Sequence, residues 1–341
     1  MVRVLSDADV ADVLELESLL PVVADAFRAD YRDEVTRPDR PHYPIGAGLD
    51  ADESDDPGGS GLDADGSNEP LGTGLCMPAY VHGSAYAATK LVTVFEDNPD
   101  RGLPTVSARI ELTDARTGRP VAYLAGTRIT NARTGCIGGL AARELAVDGS
   151  IRLAILGAGT QARWQARAIR AAVGGRLESI RVYSPSDSRE KCAAELTEEL
   201  DVPAAAVGSP REAISDATVV VTATTSREPV FPGDALEEGA LVIAVGAYTP
   251  EMRELDADAI ERAATVFADV PDEAGETGDL RPFSDLEPVP FGAVLAGESG
   301  RSSADDVLVL ASVGTAVLDA ASSEHVVERA TERDAGSEFA L

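Results

Sequence analysis

Lysine is almost missing from this chain of 341 residues: of its 29 basic residues only Lys90 and Lys191 are lysines, and the remaining 27 are arginines. Acidic residues number 59, so the formal net charge is −30. A field of that sign repels phosphate and excludes nucleic acid or an anionic membrane surface as an obvious partner. Cysteine is scarce too. Cys76, Cys136 and Cys192 are odd in number, widely spaced and outside any CxxC or Cys/His cluster. Neither a disulfide framework nor a metal site is expected, and a reducing cytoplasm is the default. No apolar run reaches membrane-spanning length, and the first twenty residues carry acids where a signal peptide needs a basic start. Aromatics make up only 4%, yet 44% of residues are hydrophobic, which is enough for packed cores. The length suggests about two domains.

Acid excess, near-absence of lysine and abundant Ala, Val and Gly resemble a protein from a salt-loving organism that keeps molar salt in its cytosol. At about 1 M ionic strength the Debye length is roughly 3 Å, so self-repulsion of such a surface is screened there. The charge then concerns solvent more than ligand.

Along the chain, Ser6 and Asp7 are plausible caps for apolar residues at helical spacing through Phe27, in two helices or one broken at Pro21. Residues 46–74 hold eight acids among many glycines and no Lys or Arg, which reads as a mobile acidic surface insertion. Strand-like pieces follow at 75–81, 88–97, 105–114 and 120–130, with a hairpin turn at Arg116-Thr117-Gly118. This half reads as an α+β domain on a mostly antiparallel sheet, with 132–146 a helix leading out of it. From Ile151 short β-branched runs alternate with amphipathic helices, the pattern of a doubly wound α/β domain with a parallel sheet covered on both faces. Residues 305–333 read as one long helical pattern that could pack back on the first domain.

Strand 151–156 runs into Gly157-Ala158-Gly159-Thr160-Gln161-Ala162 and then a helix. In that setting a glycine turn lets backbone approach a pyrophosphate at a helix N-terminus, so this Rossmann-type unit is expected to bind NAD or NADP. At the end of the second strand stands Ser184 where an acid usually holds the ribose, with Asp187 and Arg189 further on, and the choice of cofactor form stays open. Thr222, Thr224, Val245 and Gly246 lie at C-terminal strand ends and could line the nicotinamide half, although small residues there also have a packing explanation.

In a chain of two lysines, Lys90 within the apolar strand ATKLV is conspicuous. Arginine is the compositional default, so chemistry that needs a compact ammonium able to lose its proton is the natural explanation. Lys191 lies on a charged helix and reads as surface.

The ordered segments CMPAYV, ATKLVTVFEDN, GLPTVSARIELTDARTGRPVAYLAG, ITNARTGCIGGLAARELA, LGAGTQARWQ, AVGAYTPEMRELD and SVGTAVLD resemble the ornithine cyclodeaminase and mu-crystallin family, which also includes archaeal alanine dehydrogenases and ketimine reductases. The resemblance implies a homodimer with two domains. Residues 1–132 with 305–341 would bind substrate and form the dimer, completed by the C-terminal helix, and 133–304 would form the Rossmann domain. It places the catalytic lysine on Lys90, carboxylate-binding arginines on Arg40 and Arg133, and Met77 and Tyr248 on the substrate side. Two guanidinium groups suit the carboxylate of an amino or imino acid, and Arg133 is expected near the start of its helix, where the dipole favours an anion.

Tyr248 departs from the pattern: ornithine cyclodeaminases and several alanine dehydrogenases of this family place an Asp there. A phenol with a pKa near 10 is a poor base at neutral pH. The expected activity is therefore that of an NAD(P)-dependent amino acid dehydrogenase or imine reductase on a small 2-amino or 2-imino acid, with alanine as the first substrate to try. Ornithine cyclodeaminase is the alternative, with Asp269 and Asp279 as substitutes for the missing acid, though both read more simply as strand-end and turn residues. A non-catalytic nucleotide-binding role is a third reading.

Overall fold

Two eight-stranded sheets divide the chain. The computed structural model describes residues 1–47 and 70–340, so the body of the expected acidic insertion, residues 48–69, lies outside the described residues. In the first sheet Gly72–Val81, Tyr86–Val94, Val106–Asp114 and Pro120–Ala125 run antiparallel in sequence order. The expected hairpin forms between the last two. Gly118 takes φ +70° and the Asp114 carboxylate accepts bonds from the Arg116 and Thr117 amides. Gly72–Val81 begins inside what was read as the insertion, because Gly72 to Leu75 pair with the preceding strand His42–Ile45. Val2–Leu5, too short to show a period, extends the sheet in parallel beside Pro120–Ala125.

The second sheet is parallel throughout, in the order Ala204–Ala206, Leu177–Tyr183, Ile151–Leu156, Val219–Thr222, Leu241–Ala244, Val307–Ala311, Ala263–Ala268, Val289–Pro290. Its first strand in sequence is Ile151–Leu156, and the order reverses beside it. That reversal is the crevice where open α/β sheets hold ligands.

Three expectations change. The helical break falls at Leu14 and Glu15, between helices Asp7–Val13 and Leu16–Tyr31, and Pro21 is accommodated inside the second. Residues 305–333 are not one helix: Val307–Ala311 is a wholly buried strand of the parallel sheet, followed by the helix Ala316–Glu332. A continuous apolar run of five has no period to tell strand from helix. The exit helix begins at Gly126, not 132, and runs to Leu145. The β-branched residues Thr127, Ile129 and Thr130 imitate a strand, but tertiary packing overrides that preference.

This exit helix ties the two sheets together. A Cβ on Gly135 would lie 2.6 Å from the Trp164 carbonyl, and one on Gly139 2.6 Å from that of Ala168. The glycines four apart therefore let Gly126–Leu145 lie almost backbone to backbone on Thr160–Val173, fixing the first sheet against the second.

Candidate functional site

Strand Tyr86–Val94 turns Ala88, Lys90 and Val92 to the core, so Lys90 occupies an apolar face in register with Met77 and Ile110. It is only 2% exposed. A lone ammonium there would be very costly, and it is paired. Its Nζ lies 2.5 Å from Oδ2 of Asp319, whose Oδ1 accepts from Arg133 Nε at 3.0 Å. Asp319 sits in the first turn of Ala316–Glu332, where the helix dipole favours a carboxylate and Thr315 supplies the cap. Burial pushes Lys90 down to about 8, against the pull of Asp319, and Arg133 and Arg40 add to the fall. Burial alone would raise Asp319, but Arg133 and Lys90 outweigh it and hold the carboxyl below its usual range.

Arg133 is brought to Lys90 as expected, but not from a helix start. It is the eighth residue of Gly126–Leu145, two turns beyond the end where the dipole acts, so its partner is Asp319 and the local field is set by side chains. Its Nη groups lie beside Gly314, where a Cβ would come within 2.7 Å of Nη1. Arg40 joins the same pocket with Met77 and Gly314. It is no free surface arginine: it pairs with Glu273, which also takes Arg37 at 2.5 Å, and its Nη1 reaches the Gly314 carbonyl at 3.3 Å. Four cations, Arg37, Arg40, Lys90 and Arg133, thus face three carboxylates, Asp319, Glu273 and Asp269. Inside a chain of net charge −30 the site itself is cationic.

Asp269 and Asp279 are structural, as their simpler reading held. Asp269 accepts from Ser312 Oγ and the Gly314 amide, both at 2.7 Å, and so holds the loop before the Asp319 helix. Asp279 accepts from the Glu254 and Leu255 amides. Tyr248 lines a cleft of about 310 Å³ between the two sheets, together with His42, Leu75 and Glu96. Burial and Glu96 push its phenol above the ordinary value, which makes it a still poorer base. Burial and Arg40 push the His42 imidazole below its ordinary value.

On the other side, Gly157 takes φ +112°, and a Cβ there would lie 2.4 Å from the Ala223 carbonyl. A Cβ on Gly159 meets nothing within 4 Å, and Gly159 caps the helix at Thr160 without a side-chain bond. The Gly157 amide is held by the Tyr183 carbonyl, but a helix N-terminus that opens at Gly159 beside open space is the cradle a pyrophosphate needs, so these residues fit a dinucleotide. Ala162 is fully buried, and the Gln161 side chain donates to Asn131 of the exit helix at 2.8 Å. Ser184 lies at the strand end as expected, with its hydroxyl among those of Ser186 and Ser188.

Thr222, Thr224 and Gly246 do not turn their polar groups to the crevice. All three bind the buried carboxylate of Glu254: Thr222 Oγ1, Thr224 Oγ1 and the Gly246 amide donate to it at 2.8 Å, and the Thr224 amide at 2.7 Å. Val245 continues the ladder by donating to the Thr222 carbonyl. Burial raises Glu254 to about 7 despite these donors. Neither Glu254 nor Asp319 stood out in the sequence, since both are acids among 59; Asp319, at the start of an apolar helix, left the stronger trace.

Fold and site together define a dinucleotide-binding class of protein, a parallel α/β sheet beside a mainly antiparallel one that buries a cluster of cations. The chain belongs to the ornithine cyclodeaminase/mu-crystallin family, whose model matches residues 68–334. It is 34% identical over 273 residues to the Delta(1)-pyrroline-2-carboxylate reductase of Bacillus cereus, covering 77% of this chain and 83% of that one. The structure of Thermococcus litoralis Delta(1)-pyrroline-2-carboxylate reductase in complex with NADH and L-proline superposes with a TM-score of 0.87 at 28% identity, over 99% of this chain and 100% of that one. An archaeal alanine dehydrogenase dimer with bound NAD gives 0.85 at 28% identity, over 100% and 99%.

Proposed function

We propose that the protein reduces a preformed 2-imino acid to the amino acid with NADH or NADPH, with Delta(1)-pyrroline-2-carboxylate as the first substrate to test. The observation that carries this reading is that, among the described residues, the carboxylates that meet Lys90, Arg40 and Arg133 are committed: Asp319 is bound to Lys90 and Arg133, Glu273 to Arg37 and Arg40, and Asp269 to loop amides. A reaction that must activate water wants a free base, whereas a preformed imine needs only an anion clamp and an acid. Arg133 and Arg40 clamp the substrate carboxylate, and Lys90, still an ammonium at neutral pH, delivers a proton to the nitrogen. The reduced nicotinamide, when bound, supplies the hydride that reaches the α-carbon. Tyr248 in place of an acid argues against ornithine cyclisation, and a buried lysine held between partners argues against a merely nucleotide-binding role.

A second reading, oxidation of alanine, is favoured by one group: the His42 imidazole in the cleft is held neutral by burial and Arg40 and could activate the water that a 2-imino acid needs for hydrolysis. At molar KCl, the reading expects oxidation of reduced nicotinamide on adding Delta(1)-pyrroline-2-carboxylate. Reduction of NAD(P) by alanine that His42→Ala removes would favour the second reading, and ammonia from ornithine without net absorbance change would overturn both.

Four further assignments belong to this reading. The 2′-phosphate form of the cofactor is preferred, because the strand end carries the Ser184, Ser186 and Ser188 hydroxyls and Arg189, which donates to the Ser184 carbonyl at 2.8 Å. Fluorescence titration should give NADPH a Kd about tenfold below that of NADH, or roughly 1.4 kcal/mol, with Arg189→Ala erasing the difference. The first sheet with the Ala316–Glu332 helix binds substrate and forms a homodimer, as the dimeric alanine dehydrogenase suggests. The cytoplasm is the setting, consistent with three free cysteines and with no described helix long and apolar enough to cross a membrane. That cytoplasm is salt-rich, as the acidic composition suggests.

A further inference from the structure

We propose that Asp319 is a positioning residue of the substrate site: one carboxylate oxygen holds the Lys90 ammonium, and the other takes Arg133 by Nε, so that both Nη groups are left for a substrate carboxylate. The inference rests on the assignment of Lys90 and Arg133 above and assigns the acid that organises them.

Geometry divides the two contacts cleanly. Oδ2 meets Lys90 Nζ at 2.5 Å, Oδ1 meets Arg133 Nε at 3.0 Å, and Thr130 Oγ1 stands 3.5 Å from Oδ1. The side chains of Lys90, Asp319 and Arg133 are no more than 5% exposed, so no solvent competes for these contacts. Held by Nε, Arg133 directs Nη1 and Nη2 to Gly314, which lines the pocket shared by Arg40 and Met77. A guanidinium bound through both Nη groups would instead be spent on the protein. Asp319 thus fixes which edge of the fork the substrate sees.

The charges around Lys90 give Asp319 a second consequence. Arg133 and Arg40 face Lys90 and both disfavour its ammonium, and Asp319 is the anion paired with it. The anions near Arg40 are committed, Glu273 to the two arginines and Asp269 to the 312–314 loop. Without Asp319, Lys90 would be buried beside two arginines without its paired anion, and its proton would leave more readily. In imine reduction Lys90 works as an acid, so activity falls at alkaline pH as Lys90 deprotonates. Asp319 sets where that fall occurs.

The test uses the full-length protein in molar KCl and follows imine reduction from pH 5.5 to 9.5 beside NADPH affinity by fluorescence. Asp319→Asn should raise KM for the imino acid by about tenfold or more and move the alkaline fall in kcat toward acid by at least about one unit, with NADPH affinity unchanged within about twofold. A folded Asp319→Asn enzyme whose alkaline fall stays at the wild-type pH would overturn the proposal. Because two buried cations without their anion can prevent folding, two further variants decide independently. Asp319→Glu, which keeps the charge and shifts it by one methylene, should keep the alkaline fall in place while raising KM. Arg133→Lys should raise KM without moving the fall. A displaced fall in Asp319→Glu, or an unchanged KM in Arg133→Lys, would also overturn it. Turnover that survives Lys90→Met would instead remove the assignment on which the inference stands, a result distinguishable from all of these.

Discussion

On the proposed cofactor side of the cleft the polar contacts come from amides and hydroxyls gathered around the buried acid Glu254, whereas the proposed substrate side sets four side-chain cations against Asp319, Glu273 and Asp269. The first arrangement is local. Its glycines and the Thr160 helix follow one another within a few residues, and their geometry is dictated by backbone. The second is assembled from afar: Arg40 precedes a strand, Lys90 lies within one, Arg133 is mid-helix, and Asp319 comes 186 residues after Arg133. A backbone cradle needs space and positive φ, and it tolerates any surface charge. A carboxylate pocket in so acidic a chain needs its own excess of cations, shielded from the surface by burial.

If this contrast is right, the largest effect falls on chemistry at the substrate side with binding at the other side spared. Lys90→Met is expected to lower kcat for imine reduction by about 10²- to 10⁴-fold while leaving the nucleotide Kd within about twofold. Equal losses in both would mean that the two sides are not separable. The converse substitution is Gly157→Ala. At φ +112° and with a Cβ 2.4 Å from the Ala223 carbonyl, the added methyl must move backbone. A strain of about 1–3 kcal/mol should appear as lost stability and a nucleotide Kd raised roughly tenfold or more. An unchanged Kd would show that the loop is not the pyrophosphate cradle.

Glu254 sharpens the comparison, being the buried acid on which the Thr222, Thr224 and Gly246 donors converge. Its native pKa of about 7 lies above the ordinary 4.5, so the native state binds the proton more tightly than the unfolded chain. Its contribution to stability is therefore greatest below about pH 4.5 and is lost as pH rises through 7. Relative to Glu254→Gln, the wild type should lose up to about 3 kcal/mol in urea unfolding across that window. The amide also sets an NH₂ against the Thr224 or Gly246 amide, so nucleotide affinity should fall severalfold. A stability difference that does not change with pH would mean that Glu254 stays ionised throughout.

Much of this was legible beforehand, for reasons that follow the same division. Gly157-Ala158-Gly159 announces itself because its function depends on adjacent residues and on space, both visible as composition. Lys90 was legible through the scarcity of lysine and through the family resemblance of the segment around it. That Arg133 stands with Lys90 was legible, but its place on the helix was not, because the β-branched Thr127, Ile129 and Thr130 hide the true helix start. Glu254 and Asp319 could not be singled out, since what distinguishes them is burial and not identity. Nor could the direction of Thr222 and Thr224 be read, because hydroxyls at a strand end serve a ligand or a neighbouring acid equally well.

The smallest effect is expected at the second lysine, and it tests whether scarcity itself carries meaning. Lys191 side chain is 78% exposed on the helix Ser188–Leu200 and stands 3.8 Å from Glu195 one turn on. Such a pair is screened by salt, most of all at the molar concentrations this composition suits. Lys191→Gln should leave kcat and KM unchanged and alter stability by no more than about 0.5 kcal/mol. Rarity would then matter only where burial also removes water, as it does at Lys90. Should Lys191→Gln instead lower nucleotide affinity, the charge two residues beyond Arg189 contributes to the cofactor side, and that side is less neutral than its hydroxyls and amides indicate.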